Sequence, residues 1–445
     1  MVAVTSKILL GGGCVLTLGE RTPNFPQADV LIDKGVVAEV GPSLRARDAE
    51  LVDATDTIVM PGFVDTHRHA WTSLFRNLGE PESSGAASAA NLGVHFGPDD
   101  VYAATLIGLL GAVEAGITTV VDWSDSSLDD GLADAALQAH ADAGPRTVLV
   151  HAAHHRPQSD EDDESTARRL LTRLAGAAGS STTIAFGSDE PADLDRVAGQ
   201  WALARELGLP IHVHARSETS RGGVISDLAG RGLLADDVTI VHCSGLDDRG
   251  LDAISSSGAS VSLAPSSEMA GGLGPPPIQQ LIDRGIRPGL GVDSERQAPG
   301  DMFAQMRATI SLQHATVFDR KLGGKAGVPR LMNTRDVIRF ATVDGAKVAG
   351  LGGVTGSLEP GMQADIIVLR ADRPNIFPVN DPIGAVVWGM DTSNVDWVFV
   401  GGRVLMRQGV LEGDVQRARS LAATAWQRVA EASGIVVGAA SGGAE

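Results

Sequence analysis

At 445 residues, 43% of them hydrophobic, the chain is too long for one small domain and suits a large barrel with an accessory domain. Its 55 acidic residues outnumber 36 basic ones, and the net charge of −19 argues against nucleic acid or an anionic membrane surface as partner. Two cysteines, Cys14 and Cys243, exclude a disulfide framework and a cysteine-rich zinc site. The opening MVAVTSKILLGGG lacks a basic stretch followed by a long apolar one, and no apolar run is long enough to cross a bilayer. The expectation is a soluble cytoplasmic protein.

The first sixty residues read as short strands separated by glycine turns, at 8–10, 14–16, 28–32 and 36–40. A second β-rich stretch lies at the far end, with an alternating strand at 364–369 and a hairpin at 395–406 turning at Gly401 and Gly402. Neither stretch can bury a core alone, so residues 1–60 and 356–412 are expected to join in one composite β-sandwich domain. Residues 413–445 then form a C-terminal helix and tail. Between the two stretches, short apolar runs alternate with helical patterns such as 99–115, 165–178 and 192–207. The apolar runs are 58–67, 118–123, 147–151, 183–187, 210–214, 238–243, 260–264 and 288–293. Eight βα units in an uninterrupted stretch, residues 61–355, predict an α/β fold of the (β/α)8 TIM-barrel type. An open doubly wound sheet would need a glycine-rich nucleotide turn leading into a helix, and the GGGC at 11–14 is not followed by one.

The chemistry concentrates at the strand ends. In PGFVDTHRHAW, residues 61–71, His67 and His69 stand two apart at the end of an apolar strand, and so share the face lining a barrel's mouth. Two imidazoles there make half of a zinc or iron site. Strand five ends in IHVHARSE with His212 and His214, strand six in VHC with His242, and strand eight in LGVDS with Asp293. Of eleven histidines, five gather at three strand ends, which random placement would rarely produce.

These motifs, with GITTVVDWS at 116–124, ATVDGAKVAGL at 341–351 and TGSLEPGMQADIIVL at 355–369, resemble the amidohydrolase superfamily along nearly the whole chain. Within it they are similar to the branch of cytosine, guanine and S-adenosylhomocysteine deaminases and triazine hydrolases. The resemblance implies a metal-dependent hydrolase of non-peptide carbon–nitrogen bonds, in which metal-activated water attacks an sp2 carbon. It implies His67, His69, His214 and Asp293 as metal ligands, with Asp293 also taking the water proton and His242 acting catalytically. His214 is preferred to His212 because it lies nearer the strand's C-terminal end. Binuclear relatives bridge two metals with a lysine after strand four; here that strand runs AFGSDE, with only Asp189 or Glu190 as alternatives, so one divalent metal is expected, zinc first and iron second.

The chain departs from the deaminase pattern HxxE on strand five: position 217 is serine, and the acid, Glu218, comes one residue later. Glu218 is the catalytic proton shuttle if a bulge absorbs the shift. In that case the enzyme deaminates a heterocyclic amine or amidine. The alternative is an amidohydrolase cleaving a cyclic or linear amide, including one on a peptide-like metabolite. A non-catalytic scaffold homologue would be expected to lack ligands that are present here. Trp71, Arg76, Trp123, Asp125, His154 and Glu268 follow strand ends and are the substrate-binding candidates, with loop packing as the plainer role for each. The expected partner is a small molecule, with no nucleic acid and no membrane, and a homo-oligomer is open.

Overall fold

The computed structural model describes residues 7–78, 92–125, 130–152, 163–176, 181–188, 193–215, 223–296 and 298–435. Eight strands form a parallel barrel in chain order. They are β1 (Phe63–Arg68), β2 (Ile117–Ser124), β3 (Arg146–Ala152), β4 (Thr182–Ser188), β5 (Ile211–Ala215), β6 (Val238–His242), β7 (Ser260–Leu263) and β8 (Gly289–Leu290). Every described barrel residue except Thr183 and Ser260 is buried. Such continuous burial is the mark of a parallel sheet covered by helices. The interior is filled by modest side chains, among them Val64, Val121, Val148, Val150 and Ala185, and the helix Val343–Val348 contributes Ala346 to the same cluster. Outside, large apolar side chains join strands to helices: Phe63 meets Phe303 of the helix Met302–Leu322 edge-on, with ring centroids 5.0 Å apart.

The barrel closes in an unusual manner. Only Gly289 and Leu290 of the expected strand 288–293 join the ladder. Gly291 then passes so close to β1 that a Cβ there would lie 2.7 Å from the His67 carbonyl oxygen. Two residues on, Asp293 takes a left-handed backbone (φ 62°) and bridges Arg68. Its N–H donates to His67 O at 2.8 Å, and its carbonyl accepts from His69 N at 2.9 Å.

Nine further strands form one mixed sheet from the two ends of the chain. The glycines at 11–13 are not a turn: Lys7–Val15 is one strand, bent there by two register shifts. Its first half pairs in parallel with Ala49–Asp53 and its last residues with Thr57–Pro61. Gly13 sits where the partners diverge, and a Cβ on it would come within 2.9 Å of Val59. Thr57–Pro61 pairs on its other side with Ile366–Arg370, which leads through Val395–Val400 and Arg403–Arg407 to the short edge strand Val410–Leu411. The sheet folds back on itself, bringing the Gly402 turn against Gly35 of the Phe25–Asp33/Val36–Gly41 hairpin. Alternation divides its side chains between two cores. Val59, Ile366 and Val368 point into the sheet's own core, while Ile58, Met60, Ile367 and Leu369 join the core shared with the barrel.

The stretch 58–67, expected as one strand, is two strands in two sheets, Thr57–Pro61 and Phe63–Arg68. The break falls at Gly62, where a Cβ would lie 2.1 Å from the Thr118 side chain. Helices at 99–115, 165–178 and 192–207 are found as Pro98–Glu114, Asp163–Gly176 and Leu194–Glu206. A final helix, Val415–Ser433, packs on Pro98–Glu114, where Arg428 Nε donates to Asp100 Oδ1 at 3.0 Å. The tail beyond Ile435 lies outside the described residues. Among those described, no helix is long and apolar enough to cross a membrane.

Candidate metal centre

The hydrogen bonds that close the barrel also assemble its mouth. Because Asp293 is stitched between His67 and His69, their three side chains converge: Asp293 Oδ1 lies 3.6 Å from His67 Nε2 and 3.5 Å from His69 Nε2. From β5, His214 brings its Nε2 to 3.3 Å from His67 Nε2. His242, at the end of β6, stacks on His214 with centroids 5.3 Å apart. Nitrogens of His67, His214 and His242 lie within 4.8 Å of one another, as do the ligand atoms of His67, His69 and Asp293. His212, two residues below His214, is buried but belongs to neither group; burial pushes its pKa down to about 3.

These spacings fit a cation. A tetrahedral zinc with metal–nitrogen bonds of about 2.0–2.1 Å holds its ligands about 3.3–3.4 Å apart. Two imidazole nitrogens, those of His67 and His214, at 3.3 Å from each other in a buried site match that spacing. Burial also pushes His67 down to about 4, keeping it in the neutral form a metal requires, although Asp293 opposes the shift. Burial would raise Asp293, but the hydrogen bond from His67 and the surrounding histidines hold it well below the usual carboxylate range.

A second tier of side chains orients the first. His69 Nδ1 is 2.7 Å from Asp125 Oδ2, and the same oxygen accepts from Trp71 Nε1 at 2.8 Å. Burial alone would lower His69, but Asp125, then Asp293, raise it to about 9. Such a carboxylate–histidine contact fixes tautomer and ring orientation. Ser267 Oγ donates to the second oxygen of Asp293 at 2.6 Å. Trp123 stacks on His214 with centroids 3.9 Å apart and forms one wall of the site. Asp122, one residue earlier, accepts from Ala70 N at 2.8 Å and faces His140 Nε2 at 2.7 Å.

Beside β1, Asp65 accepts from Arg68 Nε at 2.6 Å and from Val292 N at 3.0 Å. Arg68 also bonds Glu295, which in turn holds Arg76. Burial raises Asp65 to about 6 in spite of Arg68. Glu295 ends below its ordinary value because Arg68 and Arg76 outweigh burial. On the opposite side, Glu268 is fully buried on the helix Pro265–Ala270. Its Oε1 lies 3.0 Å from His242 Nδ1 and accepts from Ala264 N at 2.8 Å, while Oε2 has no hydrogen-bond partner among the described residues. Burial raises its pKa, with His242 pulling the other way. His242 and Cys243 have φ of 78° and 61°, a left-handed pair of non-glycine residues. Such strain costs roughly 1–3 kcal/mol per residue and concentrates at functional sites.

Of the residues singled out in the sequence, His67, His69, His214, His242 and Asp293 come together at the mouth. Trp123 walls the site, and Asp125 and Trp71 stand behind His69. Arg76 is engaged by Glu295, and Glu268 stands behind His242. His154 and Glu218 lie outside the described residues, as do Asp189 and Glu190. Sequence reasoning did not single out Asp65, Arg68, Ser267 or Glu295. The aspartate two residues before the first histidine of PGFVDTHRH was the one visible signal, since a charge inside an apolar strand needs a partner.

The model of the amidohydrolase family matches residues 58–405. The 5'-deoxyadenosine deaminase of Methanothermobacter thermautotrophicus is 27% identical over 428 residues, covering 91% of this chain and 94% of the relative. The 5-methylthioadenosine/S-adenosylhomocysteine deaminase of Syntrophobacter fumaroxidans is 29% identical over 428 residues, 90% and 93% of the two chains. Among solved structures, a zinc-bound adenosine deaminase from Xanthomonas campestris superposes with a TM-score of 0.81 at 20% identity, covering 95% of this chain and 98% of the other. With a barrel in which Asp293, three residues past the closing strand, faces His67 and His69, the chain belongs to the amidohydrolase family.

Proposed function

We propose that this enzyme is an aminohydrolase that uses one zinc ion to replace the amino group of a heterocyclic amine or amidine by oxygen, with adenosine-type nucleosides as the first substrate class. The observation that carries the reading is the convergence of His67 and His69 on Asp293 at 3.6 and 3.5 Å, with His214 Nε2 3.3 Å from His67 Nε2. The deaminases among the relatives supply the substrate class to try first.

In this reading His67, His69, His214 and Asp293 hold the metal. A divalent ion held there would supply a water of lowered pKa, about 7, as nucleophile at neutral pH. Asp293 Oδ2, bonded by Ser267, takes a proton from the attacking water and passes it to the leaving nitrogen. Ser267 holds that carboxylate in place between the two transfers. His242 faces the oxygen on which negative charge develops and stabilises it. Trp123 and the buried strand ends keep bulk water from the reacting carbon.

The serine at position 217 favours a second reading, hydrolysis of a cyclic or linear amide, because the acid that protonates a ring nitrogen in the HxxE pattern is displaced to Glu218. Elemental analysis combined with a substrate panel separates the readings. About one zinc per chain is expected, with ammonia released from aminated purine nucleosides. Two metals per chain overturn the mononuclear site. Ring opening of cyclic amides without ammonia release selects the second reading, and no metal after reconstitution rejects both.

A further inference from the structure

At the base of the barrel, the end away from the metal centre, β5, β6 and β7 carry a row of polar side chains. Along these strands Ile211, Val213, Ile240, Val261 and Leu263 join the core against the helices, so alternation turns His212, Thr239 and Ser260 toward the interior. The three are register partners across neighbouring strands, His212 with Thr239 and Thr239 with Ser260. Gly187 of β4 continues the row without a side chain. Branched apolar side chains ordinarily fill such a layer of a barrel. Here the row and residues 347–350, at the end of the helix Val343–Val348, line a cavity of about 330 Å³. Small-molecule sites begin at that size.

The row has hydrogen-bonding capacity that the fold does not use. His212 is 2% exposed, and its Nδ1 has no hydrogen-bond partner among the described residues. A buried polar atom left in that state costs stability unless something meets it. Thr239 Oγ1 donates to Val348 O at 3.2 Å, which leaves its oxygen an acceptor for anything in the cavity. Ser260, half-buried at the first position of β7, has a hydroxyl that can donate. Leu209, Val348 and Ala349 add apolar wall. The charged lining residues are balanced, Arg205 and Lys347 against Asp236 and Asp237. Arg205 Nε donates to Asp237 Oδ2 at 2.7 Å, while Lys347 and Asp236 are exposed at the rim. A buried ion would therefore find no net countercharge. We propose that this cavity binds an uncharged amide or lactam on the row of His212, Thr239 and Ser260, with its N–H to Thr239 Oγ1 and its C=O to the Ser260 hydroxyl. Such a site stands whether or not the mouth of the barrel deaminates.

The test titrates the full-length zinc-loaded enzyme with 2-pyridone, a ring lactam with no amine to release. Benzoate and benzylammonium serve as charged rings of similar size. 2-Pyridone should bind saturably, and crystals soaked with it should show it against Thr239 and Ser260. Ser260→Leu, which fills the cavity, should weaken binding roughly tenfold or more with zinc content unchanged. Thr239→Val keeps the side-chain shape, removes the acceptor and should weaken binding about tenfold. It decides the matter if Ser260→Leu does not fold. Absence of binding to the wild type overturns the proposal, as does binding that survives the variants. Water alone in the soaked cavity, 2-pyridone seated only at the metal centre, or tighter binding of either charged ring overturns it equally.

Discussion

Two seams of the barrel bury carboxylates beside the same cluster of histidines, and they use them differently. Along the β8–β1 seam, Asp65 and Glu295 face the guanidiniums of Arg68 and Arg76. Along the β6–β7 seam, Glu268 faces the imidazole of His242. A guanidinium never gives up its proton in a protein, so the first seam is a fixed lattice of charge that holds backbone in place. An imidazole has two ring nitrogens and can give up a proton as a guanidinium cannot, so the second seam is not a fixed lattice of the same kind. What a buried acid does is set by the partner it meets, more than by its depth. Asp293 stands between the seams, with backbone bonds in the first and side-chain oxygens in the centre.

Three substitutions probe that division. The largest effect is expected at Asp293. Asp293→Asn keeps the backbone stitches to His67 and His69 but cannot accept the water proton, so kcat should fall by several orders of magnitude with an unchanged thermal midpoint. Retained turnover at normal metal content would show that the side chain belongs to the fixed lattice. Arg68→Met should act on the fold. It strands Asp65 without its countercharge and leaves Glu295 with Arg76 alone, and removing one partner of a buried pair costs about 3–5 kcal/mol. Urea titration reads this directly, and an unshifted midpoint would erase the distinction between the seams. The smallest effect is expected at Asp125, which orients His69 without touching the reaction. Asp125→Asn should weaken metal binding roughly 10–100-fold, measured by competition with a chelator. Equal loss of kcat at saturating metal would move Asp125 into the reacting group.

Much of this was legible because the relevant signals are local. Apolar runs at regular intervals gave the eight barrel strands, and histidines and an aspartate at strand ends marked the centre. What escaped depends on contacts between distant segments. Gly62 looks like any glycine in an apolar stretch until Thr118 leaves no room for a Cβ and the strand breaks between two sheets. The glycines at 11–13 resemble a turn, yet they let one strand serve two partners. Glu268 sits in a polar segment, APSSEMAGG, that reads as a loop with a side chain open to substrate. Only the three-dimensional placement of Ala264 N and His242 shows it facing inward. Asp65, in turn, needed Arg68 and Val292 to explain it.

The strand Thr57–Pro61 lies in the sheet between Lys7–Val15 and Ile366–Arg370, with the whole barrel intervening in sequence before the last of these. During synthesis its second edge therefore stays bare until the C-terminal strands emerge. At about 5–20 residues per second, that is a wait on the order of tens of seconds. Such long-range pairing is slow to form and exposes unpaired edges meanwhile. The nascent chain therefore carries an unpaired strand edge until residues 366–370 have been made. Its yield on expression should follow the speed of translation and the temperature more closely than the stability of the finished molecule does.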